Sequence, residues 1–184
     1  MSKVYVFLAD GFEEIEGLTV VDLLRRAKID LTTVSVMGRD EIVGSHQITV
    51  KADTLIEHIT PTEEDMLVLP GGMPGTLHLR DCEILAGFLK TANEKESQIA
   101  AICAAPTVFG GMGFLNGRKA ICYPGMEDGL VGAEVTMEPV VTDGHITTSR
   151  GLGTAIPFAL RLISILKGEE TARSIADSIV YQEA

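Results

Sequence analysis

A single cysteine stands where a buried-strand pattern gives way to a helical one. In the stretch "QIAAICAAPTVFGG" (98–111), the strand pattern stops at Cys103 and the helical pattern starts at Pro106. Alanines on both sides of the cysteine permit a sharp strand-to-helix turn, which pushes the side chain at its tip over the edge of a sheet. Proline suits the first turn of a helix, because its missing N–H removes no hydrogen bond there. The spacing therefore predicts a nucleophile elbow with Cys103 at its tip.

Two interpretations of this cysteine follow from the turn. Free N–H groups in the first helical turn, together with the helix dipole, stabilise a thiolate and lower the pKa of Cys103, and the thiolate is the nucleophilic form. Alternatively, Cys103 is a small buried hydrophobic residue, which is common for free cysteines. The turn alone leaves both interpretations open, so the neighbouring motifs bear on the choice.

The segment "DGFEEIEGLTVVDLLRRA" (10–27) predicts an amphipathic helix with an acid on its buried face. A carboxylate there is unfavourable unless it is paired or protonated, and burial raises its pKa, so a neutral Glu16 would donate a hydrogen bond. Glu13 and Glu14, by contrast, are expected to do no more than complement the positive end of the helix dipole. Four apolar side chains lie on the same side of the helical wheel as Glu16: Val20, Leu23, Leu24 and Ala27.

The motif "LPGGMPG" (69–75) places glycines directly after a predicted strand. Glycines at such a turn let the backbone come close to a ligand and expose its amides. One N–H of this turn, together with that of Ala104, is suited to bind a developing oxyanion. An ordinary loop is the alternative, because glycine turns after strands are common.

The composition narrows the class of protein. The 184 residues are 46% apolar, which is enough for a sizeable core, and the formal net charge is −11. That charge argues against a nucleic-acid partner and against an anionic membrane surface. Three widely spaced cysteines without a CxxC pair suggest neither a disulfide framework nor a zinc site. We find no secretory signal and no membrane-spanning run, so we expect a cytoplasmic protein.

Strand-like and helix-like segments alternate along the chain, which predicts a parallel sheet covered on both faces within one domain, 1–184. The motifs "ADGFEE", "LPGGMPG", "AICAAP" and "TSRGLGT" each begin as a predicted strand ends. Ligands bind beyond the carboxyl ends of such strands, so we expect the motifs to converge there. We predict strands over 4–9, 29–37, 65–72, 98–103, 119–122, 134–142 and 145–149, a hairpin over 41–53, and helices over 14–28, 82–95, 106–111, 153–167 and 169–179.

These motifs together resemble the ThiJ/PfpI superfamily, also called the DJ-1 superfamily, over essentially the whole chain. The most similar branch is that of the parkinsonism-associated protein deglycase and its bacterial relatives. The resemblance implies a flavodoxin-like three-layer α/β sandwich, with a mainly parallel sheet and helices on both faces, and a homodimer. It implies a reactive Cys103, a protonated Glu16 that hydrogen-bonds the sulfur, and oxyanion-binding amides at Gly72 and Ala104. Gly71 is a candidate substrate-binding residue.

The resemblance also implies an activity. Members are described as glyoxalases or deglycases that act without a cofactor on methylglyoxal-type aldehydes or early glycation adducts, and as oxidative-stress sensors. We therefore expect a small aldehyde or a glycated protein as the partner, with no cofactor, metal, nucleic acid or membrane. The alternative is a redox sensor or chaperone-like protein whose elbow cysteine is oxidised without turnover.

Departures from the family pattern narrow these expectations. Many members carry a histidine where this chain has Tyr123, which becomes a candidate for hydrogen bonding to a substrate oxygen. A Cys–His peptidase would need a histidine directly after the cysteine, where Ala104 stands. A class I amidotransferase would need a late His-x-Glu pair, but His145 is followed by Ile-Thr. His46, in the predicted hairpin, is expected to reach a dimer partner's site.

Overall fold

Within residues 2–182, which the computed structural model describes, the chain forms eleven strands and six α-helices. The strands are β1 (Val4–Leu8), β2 (Leu31–Ser35), β3 (Glu41–Val43), β4 (Thr49–Lys51), β5 (Thr54–Leu55), β6 (Met66–Leu69), β7 (Ile99–Ile102), β8 (Lys119–Ala120), β9 (Glu134–Val135), β10 (Val140–Asp143) and β11 (Ile146–Ser149). The helices are α1 (Glu14–Arg26), α2 (Gly75–Asp81), α3 (Glu83–Glu94), α4 (Pro106–Gly111), α5 (Ala155–Lys167) and α6 (Glu169–Ser178). None of these helices combines the length and the apolar character needed to cross a bilayer.

The central sheet has seven strands in the order β10-β11-β7-β6-β1-β2-β5. All neighbouring pairs are parallel except β10 and β11, which are antiparallel at one edge. Every residue of β1, β6, β7 and β11 is buried, as a parallel sheet covered on both faces requires. The β3–β4 hairpin and the parallel β8–β9 pair lie outside this sheet.

Helices cover both faces of the sheet and divide the core into two parts. Val4, Val6 and Leu8 of β1 pack on the side of α1, α5 and α6, whereas Tyr5 and Phe7 pack on the side of α2, α3 and α4. Alternate side chains of a strand point to opposite faces, so one strand contributes to both halves of the core. The predicted flavodoxin-like three-layer sandwich with a mainly parallel sheet is confirmed.

Most element boundaries predicted from the sequence agree with the structure to within a few residues, but two predictions differ. The strand predicted over 134–142 is split into β9 and β10, since β9 pairs with β8 outside the main sheet and Pro139 has no N–H to donate between them. Helix α2 is not foreseen by the sequence pattern, because it follows directly on a turn of glycines and prolines that favours a loop.

Four parallel strands end at the same edge of the sheet, and each leads into a loop with residues that could do chemistry. Strand β1 leads to α1 with Glu16 in its first turn, β6 to Gly71 and Gly72, β7 to Cys103, and β11 to Gly151. Strand β7 lies between β6 and β11, and β6 lies next to β1. These adjacencies bring together residues that are far apart along the chain.

Candidate active site

Cys103 occupies a strained backbone conformation between β7 and α4. Its φ is +66°, in the left-handed region that residues other than glycine seldom adopt. The Cys103 N–H donates to the Ser149 carbonyl (3.0 Å), and the Cys103 carbonyl accepts from the Tyr123 N–H (2.8 Å). Strain of this kind persists only where the surrounding structure imposes it, and it is frequent at functional sites. The residue is partly buried, unlike Cys122, which is fully buried.

Glu16 lies beside Cys103 and is only 1% exposed. Its Oε2 accepts a hydrogen bond from the Gly71 N–H at 2.9 Å, and its carboxyl group lies close enough to the Cys103 side chain for each group to shift the pKa of the other. The other oxygen, Oε1, is buried and has no hydrogen-bond partner among residues 2–182. Burial raises the pKa of Glu16 to about 7, although the Cys103 thiol and the Gly71 N–H act to lower it.

Two glycines bring the turn between β6 and α2 against the cysteine. A Cβ on Gly71 would lie 2.6 Å from the Cys103 Cβ and 2.7 Å from Glu16 Oε2, so no side chain fits there. Gly72 has a φ of +92°, and a Cβ there would overlap with the loop that precedes α1. The N–H groups of Gly72 and Ala104 both act to lower the pKa of the Cys103 thiol. The two amides singled out in the sequence therefore both lie near the sulfur.

Burial and the Glu16 carboxylate raise the pKa of the Cys103 thiol to about 12, while the Gly72 and Ala104 N–H groups act to lower it. The expectation that the turn lowers this pKa is therefore wrong for a thiol beside an ionised Glu16. The physical reason is that two negative charges in contact within a buried site repel each other. At neutral pH the carboxyl group of Glu16 therefore ionises more readily than the Cys103 thiol.

Glu14 lies two residues before Glu16 in a contrasting environment. It is 2% exposed, and its Oε1 accepts from the backbone N–H groups of His46 (2.8 Å) and Ile48 (3.4 Å). Burial acts to raise the pKa of Glu14, but hydrogen bonds from the His46 side chain and from backbone N–H groups lower it to about 2. The expectation that Glu14 only complements the helix dipole is wrong, because the turn of the β3–β4 hairpin closes over its carboxylate.

The side chains of Glu13, Glu14 and His46 form the one group of three potential metal ligands found within residues 2–182, with ligand atoms within 4.8 Å of one another. His46 Nδ1 lies 3.0 Å from Glu14 Oε2 and 3.5 Å from Glu13 Oε2, and these acids raise the His46 pKa. The Ser45 hydroxyl donates to both acids at 3.2 Å. These mutual contacts explain the group as the anchor of the hairpin on α1. A contact of His46 with a partner subunit stays a prediction.

Tyr123 stands at the outer side of the site. Its backbone N–H is bound to the Cys103 carbonyl, whereas its side chain is 51% exposed. A Cβ on Gly151 would lie 3.3 Å from Tyr123 Cδ2 and 3.8 Å from Glu16 Oε1. Tyr123 and Gly151 therefore border the space in front of the unpartnered oxygen. The "TSRGLGT" motif signals this loop in the sequence, but no pattern distinguishes Gly151 within it.

Two other features lie away from the cysteine. A groove of about 810 Å³ runs between α5 and α6, with Arg161, Arg173 and Tyr181 in its lining, and neither Cys103 nor Glu16 lines it. His145 is buried, and its Nε2 lies 3.0 Å from Asn93 Oδ1. Neither feature contributes to the chemistry at the strand edge.

A cysteine at a strained elbow, placed with a buried acid at the carboxyl edge of a flavodoxin-like sandwich, defines a class of α/β proteins organised around that elbow. The chain belongs to the DJ-1/PfpI family, whose model matches residues 2–165. The oxidized form of Toxoplasma gondii DJ-1 superposes on the whole chain with a TM-score of 0.94 and 36% identity, and is itself covered completely. The resemblance identified from the sequence motifs is thereby confirmed.

Relatives of different lengths share this similarity. Protein DJ-1 homolog B of Arabidopsis thaliana is 38% identical over 182 residues, which cover 98% of this chain and 42% of that protein. The chain thus spans about two fifths of the Arabidopsis relative. A deglycase of Pyrococcus abyssi is 30% identical over 168 residues, which cover 90% of this chain and 99% of that protein.

Proposed function

We propose that this protein is a cofactor-free, cysteine-dependent glyoxalase or deglycase that acts on methylglyoxal-type α-oxoaldehydes or on early glycation adducts. The observation that carries the proposal is the placement of the buried Glu16 beside the partly buried Cys103 of the elbow, where the Gly72 and Ala104 N–H groups act to lower the pKa of the same thiol. A nucleophile, an acid–base group and oxyanion donors are the parts that addition to a carbonyl needs. The similar protein from Pyrococcus abyssi bears the name deglycase, which supports the same assignment.

In the first proposed step, the Cys103 sulfur adds to the aldehyde carbon. The thiol proton passes to Glu16, the S–C bond forms, and the carbonyl electron pair moves onto oxygen. The N–H groups of Gly72 and Ala104 stabilise the resulting oxyanion. Protonation of that oxygen gives a hemithioacetal. A Glu16 pKa near 7 suits this role, because the group both accepts and returns a proton at neutral pH.

In the second proposed step, Glu16 moves a proton from the former aldehyde carbon to the neighbouring carbonyl carbon. This isomerisation converts the hemithioacetal into a thioester of a hydroxyacid, and water then releases the acid and restores the thiol. With a glycated amine as substrate, the amine leaves as the sulfur binds. The overall balance adds one water molecule and requires no oxidant or reductant.

Replacing Cys103 with serine tests this proposal, with Cys82→Ser as the matched control because Cys82 is also partly buried but lies at the start of α3. We expect Cys103→Ser to abolish methylglyoxal consumption and lactate formation while the far-UV circular dichroism stays unchanged. Cys82→Ser should keep the parent rate. A Cys103→Ser protein that consumes methylglyoxal at the parent rate would show the mechanism to be wrong.

A second candidate function is redox sensing, with Cys103 oxidised without turnover. The similar Toxoplasma gondii protein has been solved in an oxidized form, and Cys103 is partly exposed. Mild peroxide followed by intact mass, beside an assay of product from methylglyoxal, separates the two functions. A gain of about 32 Da, the mass of a sulfinate's two oxygens, without any turnover would favour the sensor.

The assembly and location are proposed with the function. We propose a homodimer in the cytoplasm, as the family resemblance implies. Light scattering on the purified protein tests the oligomeric state, and a mass equal to one chain would contradict it.

A further inference from the structure

Gly151 has a backbone that does not require glycine. Its φ of 164° and ψ of −165° describe extended backbone, which any residue adopts. Other glycines at the site, such as Gly72 with its φ of +92°, are explained by their backbone conformation. The absence of a side chain at Gly151 therefore needs a different explanation, and the space around it supplies one.

A side chain at Gly151 would enter the space in front of Glu16. Its Cβ would lie 3.8 Å from Glu16 Oε1 and 3.3 Å from Tyr123 Cδ2. Glu16 Oε1 is the buried carboxylate oxygen that has no partner among the described residues. Buried polar atoms in folded proteins almost always have partners, so an unpartnered oxygen facing this space points to a bound molecule.

The Gly151 peptide is held firmly in place. Its N–H donates to the Thr154 hydroxyl (3.1 Å), and its carbonyl accepts from the Thr154 N–H (2.8 Å) and hydroxyl (2.9 Å). The same hydroxyl lies 2.7 Å from the Ser149 hydroxyl at the end of β11. The backbone of Gly151 is therefore unable to retreat from a group placed against it.

We propose that Gly151 forms one wall of the substrate pocket. The space left by its missing side chain determines how large a substituent the pocket accepts on the second carbon of an α-oxoaldehyde. This inference rests on the proposed function, in which Glu16 moves a proton between the two substrate carbons. The second carbon must then lie beside Glu16 Oε1, and its substituent is directed at Gly151 and the Tyr123 ring. The favoured substrate class is α-oxoaldehydes with a methyl or larger group on the ketone carbon, rather than glyoxal, which has only hydrogen there.

A pair of alanine substitutions within one loop tests the proposal. Gly151→Ala adds a methyl group to the wall, whereas Gly153→Ala adds one where no atom lies within 4 Å. We measure kcat/KM for methylglyoxal and for glyoxal. Gly151→Ala should lower the methylglyoxal-to-glyoxal ratio about tenfold, the size of effect that one methyl group has in a closed pocket. Gly153→Ala should leave the ratio unchanged.

A second readout does not depend on turnover. Chloroacetone and chloroacetaldehyde both alkylate a thiol: the S–C bond forms, chloride leaves and the thiol proton goes to water. They differ only by the methyl group on the carbonyl carbon. Intact mass and peptide mapping give the alkylation rates of Cys103, and Gly151→Ala should lower the chloroacetone-to-chloroacetaldehyde ratio. Tyr123→Ala, which widens the same space, should raise that ratio, so the test does not depend on one variant folding.

The outcomes separate the two proposals. The parent protein could show no turnover while the alkylation ratios respond to the Gly151 and Tyr123 substitutions as expected. That result would refute the glyoxalase function and support the role of Gly151 as a pocket wall. Parent protein with turnover and a ratio that Gly151→Ala leaves unchanged would refute the pocket wall and keep the function. An equal change in the ratio for Gly153→Ala would also overturn the role of Gly151.

Discussion

Replacing Glu16 with glutamine removes the acid from the pair while keeping its shape. The glutamine oxygen is still able to accept the hydrogen bond that the Gly71 N–H donates to Glu16 Oε2. In the parent, about half of the Glu16 carboxyl groups are ionised at pH 7, because the Glu16 pKa is about 7. In the variant, the negative charge that raises the pKa of the Cys103 thiol is absent.

The size of the effect follows from the pKa of the thiol. Burial and the Glu16 carboxylate raise it from the ordinary 9.0 to about 12 in the parent. At a pKa of about 12, about 1 thiol in 100,000 is ionised at pH 7, compared with about 1 in 100 at a pKa near 9. Because the thiolate is the reactive form and Glu16→Gln removes the repelling charge, we expect this substitution to speed the alkylation of Cys103 at pH 7 by up to about a thousandfold.

The assay is the rate of Cys103 alkylation by iodoacetamide as a function of pH, followed by intact mass. Both profiles should rise towards the thiol pKa, and the Glu16→Gln profile should level off at a lower pH than the parent profile, because the Glu16 charge no longer raises the thiol pKa. Glu57→Gln, at an exposed acid, is the matched control and should follow the parent. A Glu16→Gln profile that coincides with the parent profile would refute the effect of the Glu16 charge on the thiol.

The same substitution should stabilise the fold. The pKa of Glu16 rises from 4.5 to about 7 on folding, so its contribution to stability is fully present below pH 4.5 and is lost as the pH rises through about 7. Glu16→Gln should therefore raise the free energy of unfolding by up to about 3 kcal/mol at about pH 8, and by little below pH 4.5. Urea unfolding at both pH values measures this difference, and equal stability at the higher pH would contradict the burial of a charge.

Three further substitutions test the packing around the site. Glu14→Gln should lower the free energy of unfolding by about 2 to 3 kcal/mol above pH 4.5. The folded pKa of Glu14 is about 2, so the stability that its carboxylate contributes is lost only as the pH falls from 4.5 towards that value. Urea unfolding at two pH values checks this difference. Gly110→Ala should lower the melting temperature, since a Cβ there would overlap with the Gly129 carbonyl oxygen, whereas Gly111→Ala should raise stability by about 0.5 to 1 kcal/mol in open space; equal melting temperatures would contradict this. Gly71→Ala should displace the Cys103–Glu16 pair and shift the alkylation profile along the pH axis, and an unchanged profile would show that the pair does not depend on this close contact.

The fold was predictable because its signals are local. The all-apolar run of β1 indicates a strand that is buried on both faces. The helical spacing of apolar residues in α1 and α5 indicates helices that are buried along one stripe. Both patterns can be read from a single sequence. The split between β9 and β10 was not predictable in the same way, because it depends on β9 finding β8 as a partner outside the sheet.

The same difference between local and long-range signals decides which site residues could be predicted. The helical wheel places Glu16 on the buried face correctly, since that face follows from the periodicity of α1 itself. It misses Glu14, whose burial comes from a hairpin about 30 residues further along the chain, with Gly44 leaving room for the carboxylate. The raised pKa of Glu16 follows from that burial, as the sequence predicts, whereas the raised pKa of Cys103 escapes the sequence, because it depends on burial and on the Glu16 carboxylate that only the fold places beside it.

The hydrogen bond from the Cys103 N–H to Ser149 ties the cysteine to a strand near the margin of the sheet. Strand β11 has only β10 outside it. Local separation of β11 from β7 would break the hydrogen bond to the Ser149 carbonyl and release the left-handed elbow and the Gly151 loop together. The rate of Cys103 labelling under native conditions then also measures how often the β7–β11 edge of the sheet opens locally.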